Sequence, residues 1–146
     1  MKSNNKLKTA LRLDRKVYSL FPEVFALLAF THFILLFSSF KRINGVLGTL
    51  HQETADGPNQ HKARLSTIAQ AIEIASKYAF WKPMCYTQAL TGKIMLKRRS
   101  MESTVYFGVK KGRDEKTKGH AWLRCGNVIV TGKYRHKHYK VLATYA

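Results

Sequence analysis

The sequence predicts an α+β domain, on three observations. Apolar residues recur at helical spacing through the first hundred positions. Beyond Ser100 the period switches to the alternation of short strands. The two kinds of pattern are not interleaved, so helices come first and an antiparallel sheet last. A chain of 146 residues with 45% hydrophobic content is long enough and apolar enough to bury one core. That excludes a disordered tail.

The elements follow in order. Residues 1–16 are basic and polar and read as a weakly amphipathic helix. Residues 21–40, "FPEVFALLAFTHFILLFSSF", form the most hydrophobic window. Pro22 suits the first turn of a helix, and Glu23 suits its positive end. From Phe25 the run without a charge covers 16 residues, short of the roughly 20 that span a bilayer. It also carries Thr31, His32, Ser38 and Ser39. Two readings stay open, a buried core helix and a membrane-seated one, the latter helped by Lys41-Arg42 behind it.

Gly45, Gly48 and "HQETADGPNQH" read as a linker. Residues 63–79 then carry Leu65, Ile68, Ile72, Ala75 and Ala79 on one helical face. "FWKPMC" breaks the pattern, and Pro83 opens a helix over 83–97. Strands are expected at 104–109, 119–125, 128–131 and 139–145, separated by the basic loops "KKGRDEKTK" and "GKYRHKH". Gly126-Asn127 is a two-residue hairpin turn. The organisation expected is a helical region at 1–50, a linker at 51–62 and a core at 63–146.

Lysine and arginine total 26 against 8 carboxylates, a net charge of +18. Such an excess implies an acidic partner: nucleic acid, an anionic membrane or an acidic polypeptide. Cys85 and Cys125 make no disulfide framework, and no cleavable-signal pattern precedes the first apolar run. A reducing cytoplasm is the expected setting, with or without membrane association. One alternative function is a basic nucleic-acid-binding module, since "KRR", "KKGR" and "KYRHKHYK" interleave with Tyr106, Tyr134 and Tyr139. No recognised nucleic-acid motif accompanies them. His136 and His138 alternate on one face, but no acidic or thiol ligand lies nearby in sequence, so no metal is expected. No phosphate-binding loop is present either, and no cofactor is expected.

Nothing about a hairpin requires the histidine in "KGHAWLRCGNVIVT". A lone histidine is ordinarily a packed or surface imidazole. Cys85 supplies a chemical reason for His120. It falls in the first turn of its helix, where backbone N–H groups and the helix dipole stabilise negative charge on sulfur. Ala89 and Gly92, at i+4 and i+7, would let that helix press closely on a sheet. A histidine on the facing strand then makes a Cys–His pair for acyl transfer. Cys125, beside the hairpin turn, reads as packing. Trp122 is core or a groove wall, and Trp81 lines the cleft or packs between helices. Gln88 is a candidate oxyanion donor, second to the backbone N–H of Cys85.

At these residues the chain resembles the leader peptidases of lasso-peptide biosynthesis, through "WKPMCYTQAL", "YFGVKK" and "GHAWLRCGNVIVTG". These are a small branch of the transglutaminase-like, papain-related cysteine enzymes. The apolar helix ending in "FKRINGVLG" extends the resemblance over most of the chain. It implies Cys85 as nucleophile and His120 as general base and acid, acting on the leader of a ribosomally made precursor. The implied partners are that leader, a separate leader-recognition protein, as in the stand-alone form of the enzyme, and an asparagine-synthetase-like cyclase. One departure matters. The family triad closes with an aspartate soon after the histidine, and no Asp or Glu follows Glu115 here. The hairpin register places His120 opposite Lys133, with Thr131 and Gly132 nearby. Asn127 sits at the far end, about 20 Å away at roughly 3.3 Å per residue. Thr131, a backbone carbonyl, Asp114 and Glu115 remain candidates for the third role.

Overall fold

Why do these helices gather on one side of a sheet? A computed structural model describes residues 14–37, 40–58 and 60–146. The helix expected over 1–16 lies outside them, apart from the start of α1. The helices are α1 (Arg15–Phe37), α2 (Phe40–Leu47), α3 (Lys62–Tyr78) and α4 (Cys85–Lys97). Strands β1 (Thr104–Lys111), β2 (Thr117–Cys125), β3 (Val128–Thr131) and β4 (Lys140–Tyr145) follow, with a short 3-10 turn at His136–His138. The sheet is antiparallel in the order β3-β2-β1-β4. The α+β architecture is therefore as the periodicity predicts.

The core is filled from both layers. Val24 and Leu28 of α1, Leu65, Ile68 and Ile72 of α3, and Leu90 and Leu96 of α4 pack with Val105 and Leu123 of the sheet. Gly92 of α4 packs against the sheet at Leu123 and Thr131. A Cβ there would lie 2.6 Å from Leu123 Cδ2 and 3.5 Å from Thr131 Cγ2. A larger residue there would have to displace the Leu123 side chain.

α1 docks by one face. Thr31 Oγ1 hydrogen-bonds Thr91 Oγ1 of α4 at 3.1 Å. Glu23 pairs with Arg99 at 2.6 Å and Arg98 at 3.1 Å. The expectation that Pro22 marks the first turn is corrected. Pro22 lies inside α1, which begins at Arg15. Its missing N–H forgoes one helical bond, a loss tolerable on an exposed position of a helix anchored elsewhere. Pro83 is likewise just outside α4, because Met84 is the N-cap and Cys85 the first helical residue.

The hairpin also differs from the simple register. Cys125 pairs with Val128 and Arg124 with Ile129, but Leu123 pairs with Thr131. A bulge therefore absorbs Val130. The expected pairing of His120 with Lys133 is displaced by one, and β3 ends before reaching His120. Across the molecule, Arg124 holds segment 53–57 down. Its guanidinium donates to the Thr54 carbonyl at 2.9 Å and its Nε to Tyr106 Oη at 2.7 Å.

Candidate active site

The approach to Cys85 is a constrained turn. Lys82 has φ +46°, a left-handed conformation disfavoured for a side chain of its kind. Pro83 is buried, and Met84 is extended with ψ 163°. Helical bonding begins with Gln88 N–H donating to the Met84 carbonyl at 3.1 Å. The amides of the first turn, starting at Cys85, thus have no intrahelical acceptor and form the positive end of the helix. Cys85 is half-buried.

His120 comes from the middle layer of the sheet, opposite Gly108 of β1. Its ring is held between Tyr139, 5.0 Å away between centroids, and Trp122, 5.9 Å away. Gly108 makes room for both neighbours, since a Cβ there would meet Trp122 and Tyr139 at 2.9 Å. The imidazole Nε2 lies 3.1 Å from the Gly132 carbonyl oxygen. A carbonyl only accepts, so this contact requires the proton on Nε2 and leaves Nδ1 as the basic nitrogen.

Cys85 and His120 line one cavity of about 710 Å³. Its walls are the outer face of α3, with Ser66, Ala69, Gln70 and Glu73, and the β3 edge continuing through Arg135. Lys62, Lys133 and Arg135 make its rim basic, while Ile72 and Val130 supply apolar wall. A thiol and an imidazole both line it.

The other sequence candidates are distributed as follows. Gln88 lines the cavity, but its Nε2 donates to the Pro83 carbonyl at 3.1 Å, which ties the amide to the turn. Thr131 lines the cavity too and is buried. Its strand partner is Leu123 and its Oγ1 has no hydrogen-bond partner among the described residues, so it does not orient His120. Asp114 and Glu115 are exposed in the β1–β2 connection, outside the cavity lining, and Asp114 lies 4.0 Å from Lys118. Cys125 is buried in the core at the opposite end of β2. Asn127 sits at the turn, its N–H donating to Gly57. Trp122 is buried and stacked on Tyr106 at 5.3 Å, on the core side of the two readings. Trp81 contacts Phe80 and His32 and stands outside the cavity lining. His136 Nδ1 lies 2.6 Å from the Lys133 carbonyl oxygen.

Sequence reasoning missed Gly132 as a specific partner and Tyr139 as the outer clamp of the imidazole. It also missed Glu73, the one carboxylate lining the cavity among the described residues. Only helical spacing from Ser66 and Ala69 pointed to Glu73.

Cys85 at a helix start and His120 on the sheet line the same cavity, a combination of residue types that cysteine acyl transfer uses. The model of the transglutaminase-like superfamily matches residues 27–144, so the chain belongs to that superfamily. No curated protein and no solved structure matched it. The superfamily includes cysteine peptidases and transglutaminases, and membership supports a cysteine-protease-type hydrolase in general.

Proposed function

We propose that the chain is a cysteine endopeptidase that removes the leader from a lasso-peptide precursor. The observation that carries the chemistry is that Cys85 and His120 line one cavity of about 710 Å³, with the imidazole proton committed to Gly132. His120 Nδ1 takes the thiol proton, and Cys85 sulfur attacks the carbonyl at the leader–core junction. The oxyanion forms beside the first-turn amides of α4. His120 returns the proton to the departing core amine, leaving a thioester on the leader. Water adds with His120 as base, the thioester carbon–sulfur bond breaks, and the thiol is restored.

The choice of substrate rests on the resemblance in "WKPMCYTQAL" and "GHAWLRCGNVIVTG". The same resemblance assigns a separate leader-recognition protein and an asparagine-synthetase-like cyclase as partners. The test is precursor cleavage followed by mass spectrometry, with and without the recognition protein. Cys85→Ala and His120→Ala should each eliminate cleavage, whereas Cys125→Ala should retain most of it. A Cys85→Ala variant that still cleaves would sink the reading.

A further inference from the structure

α1 is far more apolar than its docking explains. Its best 18-residue window has mean hydropathy 2.0, yet only 17% of that window is buried. The outward face carries Phe30, Phe33, Leu36 and Phe37 at 56%, 62%, 64% and 78% exposure. The spacing of 30, 33 and 37 puts the phenylalanines in one stripe, and the rings of Phe33 and Phe37 stack at 5.7 Å. The turn before Cys85 extends this patch. Phe80 is 91% exposed and packs on Trp81, which in turn meets His32 of α1 at 6.4 Å.

Monomeric proteins rarely leave such a patch in water. Spanning is ruled out by the other face of the same helix, where Val24, Leu28 and Thr31 are buried in the domain. Glu23, the only carboxylate on α1, is turned inward to Arg98 and Arg99. Exposed cations lie toward both ends of this exposed face instead: Arg15 and Lys16 at the start of α1, Lys77 and Lys82 close to Phe80 in sequence. With a net charge of +18, this is an apolar strip framed by positive charge.

We propose that α1 lies in the plane of an anionic lipid surface, with Phe30, Phe33, Phe37 and Phe80 seated in the headgroup–acyl boundary. At about 1.5 Å per residue, Phe30 to Phe37 run about 10 Å along the helix axis. Because Phe80 precedes Cys85 by only five positions, this seat places the mouth of the groove beside the membrane.

The test uses the full chain and vesicles of phosphatidylglycerol with phosphatidylcholine, against phosphatidylcholine alone. Wild-type protein should float with the anionic vesicles, and brominated acyl chains should quench Trp81, Trp122 being buried in the sheet. Phe33→Glu with Phe37→Glu should weaken vesicle affinity by at least about tenfold, with circular dichroism and precursor cleavage in solution unchanged. Wild-type protein that stays unbound, equal affinity for phosphatidylcholine alone, or normal flotation of the double variant would each overturn the proposal. So would normal flotation combined with lost binding of the recognition protein, which would assign the patch to a protein partner.

Discussion

His120 and Gly132 are joined by a 3.1 Å contact from the imidazole Nε2 to the glycine carbonyl. Gly132 reaches that position only because its φ is +75° and because it has no side chain. A Cβ would lie 3.0 Å from His120 Nε2, 2.7 Å from Trp122 Cβ and 2.8 Å from the Ala121 carbonyl. The Trp122 Cβ and the Ala121 carbonyl oxygen both ride on the β2 backbone and leave the substituted residue little direction in which to relax. In the proposed mechanism a backbone carbonyl takes the orienting role that a carboxylate holds in a triad. It fixes the tautomer but supplies less stabilisation to an imidazolium than a full negative charge.

Gly132→Ala should therefore lower kcat by about 100-fold, because a misplaced imidazole costs about that much in related geometry. KM should change by only a few-fold. Gly57→Ala, whose Cβ would meet nothing within 4 Å, is the control and should cleave normally. Steady-state cleavage of the precursor checks both. A Gly132→Ala enzyme at wild-type kcat would remove the carbonyl from the orienting role.

How much of this was legible beforehand depends on whether a side chain carried the signal. The turn at Gly126-Asn127 and the start of α4 near Pro83 announce themselves through residues with strong backbone preferences. Cys85 stands out as a reactive type at a helix start, and His120 as a reactive type that its strand does not need. The Gly132 carbonyl has no side-chain signature, since every residue owns a carbonyl. Its placement depends on the Val130 bulge, which shifts the hairpin by one residue and which no local pattern marks. Pro22 misleads for a related reason: a preference for first turns does not forbid an interior position once Glu23, Val24 and Leu28 anchor the helix.

Gly92→Ala should destabilise the fold by about 1–3 kcal/mol, the usual cost of overpacking a tight core contact. The added methyl meets Leu123 Cδ2 at 2.6 Å, and Ile72 and Thr131 at 3.4 and 3.5 Å close the remaining space. Relief comes from Leu123 repacking or from α4 lifting, and the latter carries Cys85 away from the sheet that bears His120. Chemical denaturation should show the lower midpoint. The surviving folded enzyme should also cleave more slowly, a loss that stability alone does not produce.

Glu23→Gln should cost about 1 kcal/mol at neutral pH, because it removes the charge facing a partly buried Arg99. The Arg99 hydrogen bond holds the Glu23 carboxyl below its ordinary value of 4.5, against the opposing effect of burial. A depressed carboxylate adds stability that is present above about pH 4.5 and fades as the pH falls through the folded value. The gap between wild type and variant in urea titrations should accordingly be full at pH 7 and shrink in acid. A gap that grows in acid would contradict the pairing.

The candidates for a third catalytic role separate in one cleavage assay. Asp114→Ala and Glu115→Ala should cleave at wild-type rates, since both side chains are exposed outside the cavity. Thr131→Val keeps the shape and removes a buried hydroxyl that has no partner among the described residues. It should leave kcat within about tenfold and be neutral or stabilising by about 1 kcal/mol, because an unsatisfied buried hydroxyl is itself a cost. Glu73→Gln addresses the cavity's own carboxylate. Exposed on α3 and without a hydrogen bond to His120, Glu73 should influence KM for the leader more than kcat. A loss of about 10³-fold or more in kcat for any of the three carboxylate variants would move the third role to that residue and demote Gly132 to packing.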